Sequence, residues 1–172
     1  MIVCDITDVH IQEEIKRTFP DEEFLSVENI NYCTGCYGCW FKTPGECVIK
    51  DGYSTLGERY TRDGKVYIIS KCYYGCYSPK VKASYDRMLG LLLPSIKIDK
   101  LFQRHKNRYK KKIKLGVIFY GDTTEEERSL AEGMVAMQCR DAGIVQLGVA
   151  FGTEDEVIDN VRKLVGKAER EV

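Results

Sequence analysis

The chain has 172 residues, the length of one domain, and its 44% hydrophobic and 30% charged residues are ordinary for a globular protein. Its 26 basic and 26 acidic residues give a formal net charge of zero, which argues against a nucleic-acid-binding protein, because such proteins rely on excess positive charge. No apolar run approaches the ~20 residues that span a bilayer, so we expect no membrane association. The first residues lack the basic and apolar regions of a secretory signal, so we expect a cytoplasmic location.

The first half of the chain predicts two strands, two helices and a long loop. A short apolar strand is expected at residues 2–6, a helix with an apolar stripe from about 8 to 19, and a second strand at 23–27. Residues 29–52 are rich in Gly, Cys and aromatic residues without a clear period, which predicts a cysteine-rich loop insertion. A short helix is expected at 53–61.

The second half predicts three strands, each followed by a helix, at residues 65–70 and 79–92, 113–120 and 124–141, and 144–151 and 154–168. Two of these strands are nearly continuous apolar runs, as in strands buried on both faces. Strands that alternate with helices predict a parallel sheet covered on both sides. We therefore expect residues 1–172 to form a single α/β domain, a doubly wound five-stranded parallel sheet of order 2-1-3-4-5.

In such a sheet, ligands bind beyond the carboxyl ends of the strands, near the switch point between strands 1 and 3. The loops at residues 5–10, 71–78 and 120–124 are expected to converge there. The cysteine-rich loop leaves the carboxyl end of strand 2, at the same edge. We therefore expect its thiols to lie beside the ligand cleft.

Half of the eight cysteines lie in this loop with the spacing C-x2-C-x2-C-x7-C, at Cys33, Cys36, Cys39 and Cys47. Two successive C-x2-C steps bring three thiolates together, and Gly35 and Gly38 let the backbone turn tightly. Thiolates are soft ligands that suit iron–sulfur clusters and zinc. Structural zinc sites commonly pair two separated cysteine knuckles, so the spacing favours one iron–sulfur cluster over zinc. Reduced thiols in an ordered loop are the third interpretation.

Two segments together resemble a known family. The first is C-T-G-C-Y-G-C-W at residues 33–40, continuing through T-P-G-E-C to Lys50-Asp51, and the second is Y-Y-G-C-Y-S-P-K at residues 73–80. They are similar to the flavodoxin-like NAD(P)H-dependent FMN reductases, and most of all to their iron–sulfur flavoprotein branch. The second segment is similar to the loop of that family that contacts the flavin.

The resemblance implies an oxidoreductase or electron-transfer flavoprotein with a flavodoxin-like fold. It implies a [4Fe-4S] cluster on the four loop cysteines, FMN in the cleft, electrons from a reduced nicotinamide or a ferredoxin-type donor, and a homo-oligomer. The residues expected to contact FMN are Tyr73, Tyr74, Gly75, Cys76, Tyr77, Ser78, Tyr120, Gly121 and Asp122. Thr7 and a protonated His10 are expected to help hold its phosphate at the N-terminus of the first helix.

The first loop departs from the family, because it has no Gly and carries Asp5 and Asp8 where a phosphate dianion would lie. Two unit charges 4 Å apart repel by ~4 kcal/mol at an effective dielectric of 20. The alternative is therefore a flavin-less module with the same fold, whose cysteine loop binds zinc or serves as an assembly surface.

A basic run precedes the fourth predicted strand, at Arg104, Lys106, Arg108, Lys110, Lys111, Lys112 and Lys114. Such runs are usually a solvated approach to a strand. The alternative is a patch for an acidic electron-transfer partner or a nicotinamide phosphate. His105, inside this run, is expected to face solvent.

Overall fold

A computed structural model describes residues 1–62, 64–99 and 102–170. The strands are Ile2–Cys4 (β1), Phe24–Ser26 (β2), Lys65–Lys71 (β3), Leu92–Asp99 (β4), Phe102–Asn107 (β5), Lys114–Tyr120 (β6) and Val145–Gly152 (β7). The α-helices are Val9–Thr18 (α1), Gly38–Phe41 (α2), Leu56–Arg62 (α3), Pro79–Arg87 (α4), Glu125–Ala142 (α5) and Val157–Arg170 (α6). Short 3-10 helices follow at Met88–Leu91 and Glu154–Glu156.

The main sheet has five parallel strands in the order β2-β1-β3-β6-β7. Counted along the chain without the β4–β5 pair, this is the order 2-1-3-4-5, so the predicted fold class is confirmed. The sheet order reverses between β1 and β3, which makes their carboxyl ends the switch point of the fold.

Both faces of the sheet are covered by helices, because its central strands are apolar on both sides. On one face, Ile68 and Phe119 pack in a core that includes residues of α3, α4 and α5. On the other face, Tyr67, Ile69 and Ile118 pack with residues of α1 and α6. Successive side chains of a strand point to opposite faces, so a continuous apolar run supplies both cores. No helix among the described residues is both long enough and apolar enough to cross a membrane.

Local sequence signals set the helix ends. Ser78 caps α4 by accepting a hydrogen bond from the Val81 amide, and Pro79 fills the first turn. Thr124 and Glu127 form a reciprocal capping box at the start of α5. These caps fix the directions of α4 and α5, and therefore the positions of the loops before them.

The antiparallel pair β4–β5 is not predicted by the sequence patterns. The helix expected at residues 79–92 ends at Arg87, and the chain then turns into this hairpin. His105 lies on β5, where its Nδ1 is 2.9 Å from the Leu93 carbonyl oxygen and its ring centroid is 5.0 Å from that of Trp40. The expectation that His105 faces solvent is therefore wrong: the hairpin folds it against the cysteine-rich loop.

Candidate functional site

The cysteine-rich loop runs along α4 towards the carboxyl end of that helix. Near the start of α4, the Lys80 ammonium donates a 3.0 Å hydrogen bond to the Ile30 carbonyl. Beyond its end, the Trp40 indole N–H donates to the Leu89 carbonyl at 3.1 Å. The loop therefore leaves the carboxyl edge of the sheet and lies against the 3-10 helix that follows α4.

The structure brings the four loop cysteines together around one small cavity, whose lining includes Cys33, Cys36, Cys39 and Cys47. The same cavity is lined by Asp86, Arg87 and Leu89 at the carboxyl end of α4. Nine helical residues span ~13 Å, so the cavity is about that far from the loop that precedes α4. The prediction that the thiols lie beside the switch-point cleft is therefore wrong, because the loop runs along α4 and places the four cysteines at the carboxyl end of that helix.

The thiols of this cysteine cavity influence one another's ionisation. A hydrogen bond from the Gly38 amide and one from the Thr34 side chain lower the pKa of Cys36. Burial raises the pKa of Cys39, and negative charge on the other three cysteines raises it further. Four thiolates are stable together only when a positive charge compensates them.

Arg87 joins the cysteine-rich loop to α4. Its side chain is fully buried, forms an ion pair with Asp51, and donates hydrogen bonds to the carbonyl oxygens of Asn31 at 3.3 Å and Ile49 at 3.2 Å. Burial raises the pKa of Asp51, but hydrogen bonds from Arg87 and Asn31 outweigh it and hold that pKa well below its usual range. Asp51 is therefore ionised, and the pair holds both ends of the loop against the helix.

The cysteine cavity is a candidate site for a thiolate-bound metal centre. Among the described residues, no three His, Cys, Asp or Glu side chains are already arranged to hold a metal ion. The donor set nevertheless fits chemically, because four cysteines line one space and thiolates prefer iron–sulfur clusters or zinc. The Nε–H of Arg87 is buried and has no hydrogen-bond partner among the described groups. A sulfur atom in this cavity would accept a hydrogen bond from that N–H. Hydrogen bonds to sulfur tune the reduction potentials of iron–sulfur clusters.

Sequence reasoning missed the role of Arg87 in holding the cysteine-rich loop. The available signal was the helical period, since Arg87 follows the buried residues Ala83 and Ser84 by four and three positions. A charged residue on a buried face needs a partner, and Asp51 in the loop supplies it.

The switch-point edge carries the other predicted ligand residues, and Asp5 lies at its centre. The Asp5 carboxylate accepts hydrogen bonds from the Lys71 amide at 3.1 and 3.2 Å. Burial raises its pKa, against the lowering effect of hydrogen bonds from Ser78, Lys71 and Tyr120. Burial raises the pKa of Tyr120, and the nearby charge of Asp5 raises it further. A carboxylate therefore occupies the space between the ends of β1, β3 and β6.

The amides that a flavin phosphate would use at the start of α1 already have a partner. Asp8 is the N-cap of α1, and its Oδ1 accepts hydrogen bonds from the amides of His10 at 2.8 Å and Ile11 at 3.3 Å. Thr7 and His10, the residues expected to assist the phosphate, have exposed side chains. The first loop as it stands does not fit a phosphate dianion.

The expected flavin loop forms a tight turn beside α5. Tyr73 and Cys76 pair backbone to backbone, and Tyr74 and Gly75 between them have φ angles of 52° and 75°. A Cβ on Gly75 would lie 2.7 Å from the Leu130 Cβ, so only glycine fits this close approach. The side chains of Tyr73 and Tyr74 remain exposed.

The following residues of that loop turn inward. The Tyr77 ring stacks on Phe119 with centroids 5.4 Å apart, and its hydroxyl donates to Gln138 at 3.0 Å. Ser78 is also buried and caps α4. The Tyr77 side chain therefore packs into the core, while the Ser78 hydroxyl lies between the start of α4 and Asp5 at the switch-point edge.

The remaining predicted residues lie at or near this edge. The Cys76 thiol packs on Met134 of α5 at 3.4 Å. Tyr120 is buried with Asp5, while Gly121 and Asp122 form the turn after β6, where Gly121 has φ 98° and Asp122 is exposed. The edge thus presents the side chains of Tyr73, Tyr74 and Asp122 to solvent.

Comparisons with known proteins support the fold and the resemblance. No protein-family model matches the chain. An iron–sulfur flavoprotein of Archaeoglobus fulgidus is 38% identical over 65 residues, which is 38% of this chain and 29% of that protein. The match therefore spans less than a third of the curated relative.

Solved structures match over nearly the whole chain. The NAD(P)H:quinone oxidoreductase of Methanothermobacter marburgensis has a TM-score of 0.58 at 14% identity, covering 99% of this chain and 95% of its own. The FMN-dependent NADH-azoreductase of Bacillus anthracis, solved with FMN, has a TM-score of 0.57 at 10% identity. The match covers 98% of this chain and 96% of that protein. At these identities the likeness establishes the fold. The chain therefore has the flavodoxin-like fold of FMN-dependent azoreductases and quinone reductases.

Proposed function

We propose that this protein is an electron-transfer protein whose redox centre is a [4Fe-4S] cluster held by Cys33, Cys36, Cys39 and Cys47. The observation that carries the proposal is that these four side chains line a single cavity. The partial identity to an iron–sulfur flavoprotein supports it independently. A cluster of this kind exchanges single electrons when bound.

The protein residues around the cavity have separate roles in this proposal. The four cysteines would supply the thiolate ligands, and the Gly38 amide, which donates to the Cys36 sulfur at 3.4 Å, stabilises negative charge on that sulfur. Arg87 lies between the cavity and Asp51, so its cationic side chain would offset part of the negative charge of the ligands. The electron donor would be a reduced nicotinamide or a ferredoxin-type protein, and the chain would act as a homo-oligomer.

The proposal is tested by purifying the protein without oxygen and recording its visible spectrum. A broad absorption band that disappears on reduction is expected. The Cys36→Ser variant should lose this band, and the Cys72→Ser variant, a control whose half-buried thiol lies outside the cavity, should keep it. A colourless wild-type protein that stays colourless after incubation with iron and sulfide would refute the proposal.

The second candidate is a flavin-less module whose cysteine loop binds zinc and serves as an assembly surface. It is favoured by the Asp8 carboxylate, which occupies the α1 amides where a flavin phosphate would bind. This candidate predicts one zinc ion per chain and no bleachable band. It also predicts that FMN binding at the switch point appears only when the charge is removed, as in an Asp5→Ser, Asp8→Asn variant.

A further inference from the structure

The positive charge of the chain is concentrated in one segment. Residues 97–114 contain nine Lys or Arg residues and one Asp, a formal net charge of +8, whereas the whole chain has a net charge of zero. The remaining residues therefore carry a net charge of −8. Within this segment, the side chains of Lys106, Lys110 and Lys112 are exposed. A separation of charge of this size favours an anionic partner for this part of the surface.

The β4–β5 hairpin has an apolar face and a cationic face. Ile96 pairs with His105 across the two strands, and Ile98 lies two residues further along β4, so these three side chains share one face. Ile96 and Ile98 are 55% and 74% exposed. Lys97 and Lys106 are next to these residues along the strands, so their exposed side chains point to the other face. The hairpin is therefore amphipathic, as are the helices that lie at membrane surfaces.

The cysteine-rich loop packs on the apolar face of the hairpin. The centroid of the Trp40 ring is 5.0 Å from that of His105 and 6.4 Å from that of Phe41. Phe41 is 72% exposed, and Lys42, the next residue, is exposed as well. The loop therefore adds an exposed aromatic ring and a cation near the two isoleucines.

The two faces of the hairpin together identify the kind of partner. A nucleic acid would neutralise the lysines but would leave both isoleucines exposed, because its phosphates do not cover apolar side chains. An acidic protein surface would meet one face of the hairpin and not the other. The headgroup region of an anionic bilayer offers both contacts, with acyl chains on one side of the hairpin and phosphates on the other.

We propose that the β4–β5 hairpin binds the surface of an anionic lipid bilayer. Ile96 and Ile98 enter the boundary between headgroups and acyl chains, and Lys97 and Lys106 contact lipid phosphates. Binding of this kind needs no membrane-spanning segment. Because Trp40 of the cysteine-rich loop lies against the hairpin, binding brings that loop close to the membrane. The inference goes beyond the proposed function and does not depend on what the cysteines hold.

The test is cosedimentation of the protein with vesicles of phosphatidylcholine, alone or mixed equally with phosphatidylglycerol. The wild type should bind the anionic vesicles at least about tenfold more tightly, and about 0.5 M salt should weaken that binding. In a Lys106→Ala, Lys112→Ala variant, affinity for the anionic vesicles should fall about tenfold or more, because each basic residue near an anionic surface contributes to binding. An Ile96→Ser, Ile98→Ser variant should lose about fivefold or more, because less apolar surface enters the bilayer.

Two further variants are matched controls. A Lys16→Ala, Lys163→Ala variant removes the same charge from exposed positions of α1 and α6. A Leu130→Ser, Met137→Ser variant removes two exposed apolar side chains from α5. Both controls should bind anionic vesicles like the wild type.

The outcomes separate a bilayer from other partners. Absence of binding to the anionic vesicles would overturn the proposal, as would binding that neither hairpin variant weakens. Binding of a DNA duplex or of polyglutamate without binding of vesicles would also overturn it, and would identify a nucleic acid or an acidic protein as the partner. A dimer in light scattering that Ile96→Ser, Ile98→Ser dissociates, again without vesicle binding, would overturn it in favour of a second copy of the chain.

A second measurement needs no substitution in the hairpin. Circular dichroism shows whether each variant folds, and the wild type is tested independently through Trp40, its single tryptophan. Because Trp40 lies against the hairpin, phosphatidylglycerol vesicles with brominated acyl chains should quench its fluorescence. Fluorescence that brominated and ordinary vesicles leave equal would contradict insertion of this face.

Discussion

Replacing Arg87 with Met should loosen the cysteine-rich loop and destabilise the protein. Met is similar in length, so the substitution mainly removes the charge and three hydrogen bonds, to Asn31, Ile49 and Asp51. Removing one partner of a buried ion pair costs about 3–5 kcal/mol, because the other charge stays buried without compensation. That is a large share of the ~5–15 kcal/mol by which folded proteins are stable.

Urea unfolding followed by two probes measures this effect. Far-ultraviolet circular dichroism reports the whole fold, while fluorescence of Trp40, the single tryptophan, reports the loop. We expect Arg87→Met to lower both midpoints, with the loop signal changing first, since regions held by few contacts open locally. The control Arg162→Met removes an exposed ion pair with Asp159 and should lower the free energy of unfolding by less than ~1 kcal/mol. If Arg87→Met cost no more than this control, the assigned role of Arg87 would be wrong.

Three further predictions concern the iron content, the switch-point edge and the turn before α4. Cys39→Ser should lower the iron content of the purified protein at least about twofold, because four thiolates are needed for a stable site. Cys139→Ser, in the core, should leave the iron content unchanged. Elemental analysis checks both results. Burial raises the Asp5 pKa, so the fold loses stability as pH rises from the ordinary aspartate pKa through the raised one. Asp5→Asn should therefore gain stability relative to wild type over that interval, and a difference in urea midpoints that does not change with pH would contradict it. Gly75→Ala should lower the free energy of unfolding by about 1–3 kcal/mol, because Gly75 has a positive φ and the new Cβ would meet α5. Gly133→Ala, with open space around the new Cβ, should raise the free energy of unfolding by ~0.5–1 kcal/mol. Thermal unfolding measures both changes.

The sheet could be predicted from the sequence because its signals are local. The apolar runs around Ile68 and Ile118 mark strands buried on both faces, and caps such as Ser78 and Thr124 mark where helices begin. The strand order then follows from the constraints on parallel crossover connections. The hairpin β4–β5 lacks such signals, because its alternating Ile96 and Ile98 leave their side chains exposed and it belongs to no sheet core.

The candidate site depended on contacts that no local pattern reveals. The spacing of the loop cysteines predicted that they would gather, but their distance from the switch point is set by Arg87, Asp51 and Trp40, which are far apart in sequence. Likewise, the resemblance implied that Tyr77 would face a flavin, whereas core packing against Phe119 turned it inward. Long-range packing therefore decides where a recognisable motif lies.

The central claim is that the four cysteines hold a [4Fe-4S] cluster, and elemental analysis of anaerobically purified protein tests it most directly. The account predicts about four iron atoms and four acid-labile sulfides per chain, with both reduced to background in a variant that replaces all four loop cysteines with serine. One zinc ion per chain without sulfide, or no metal after reconstitution with iron and sulfide, would contradict it.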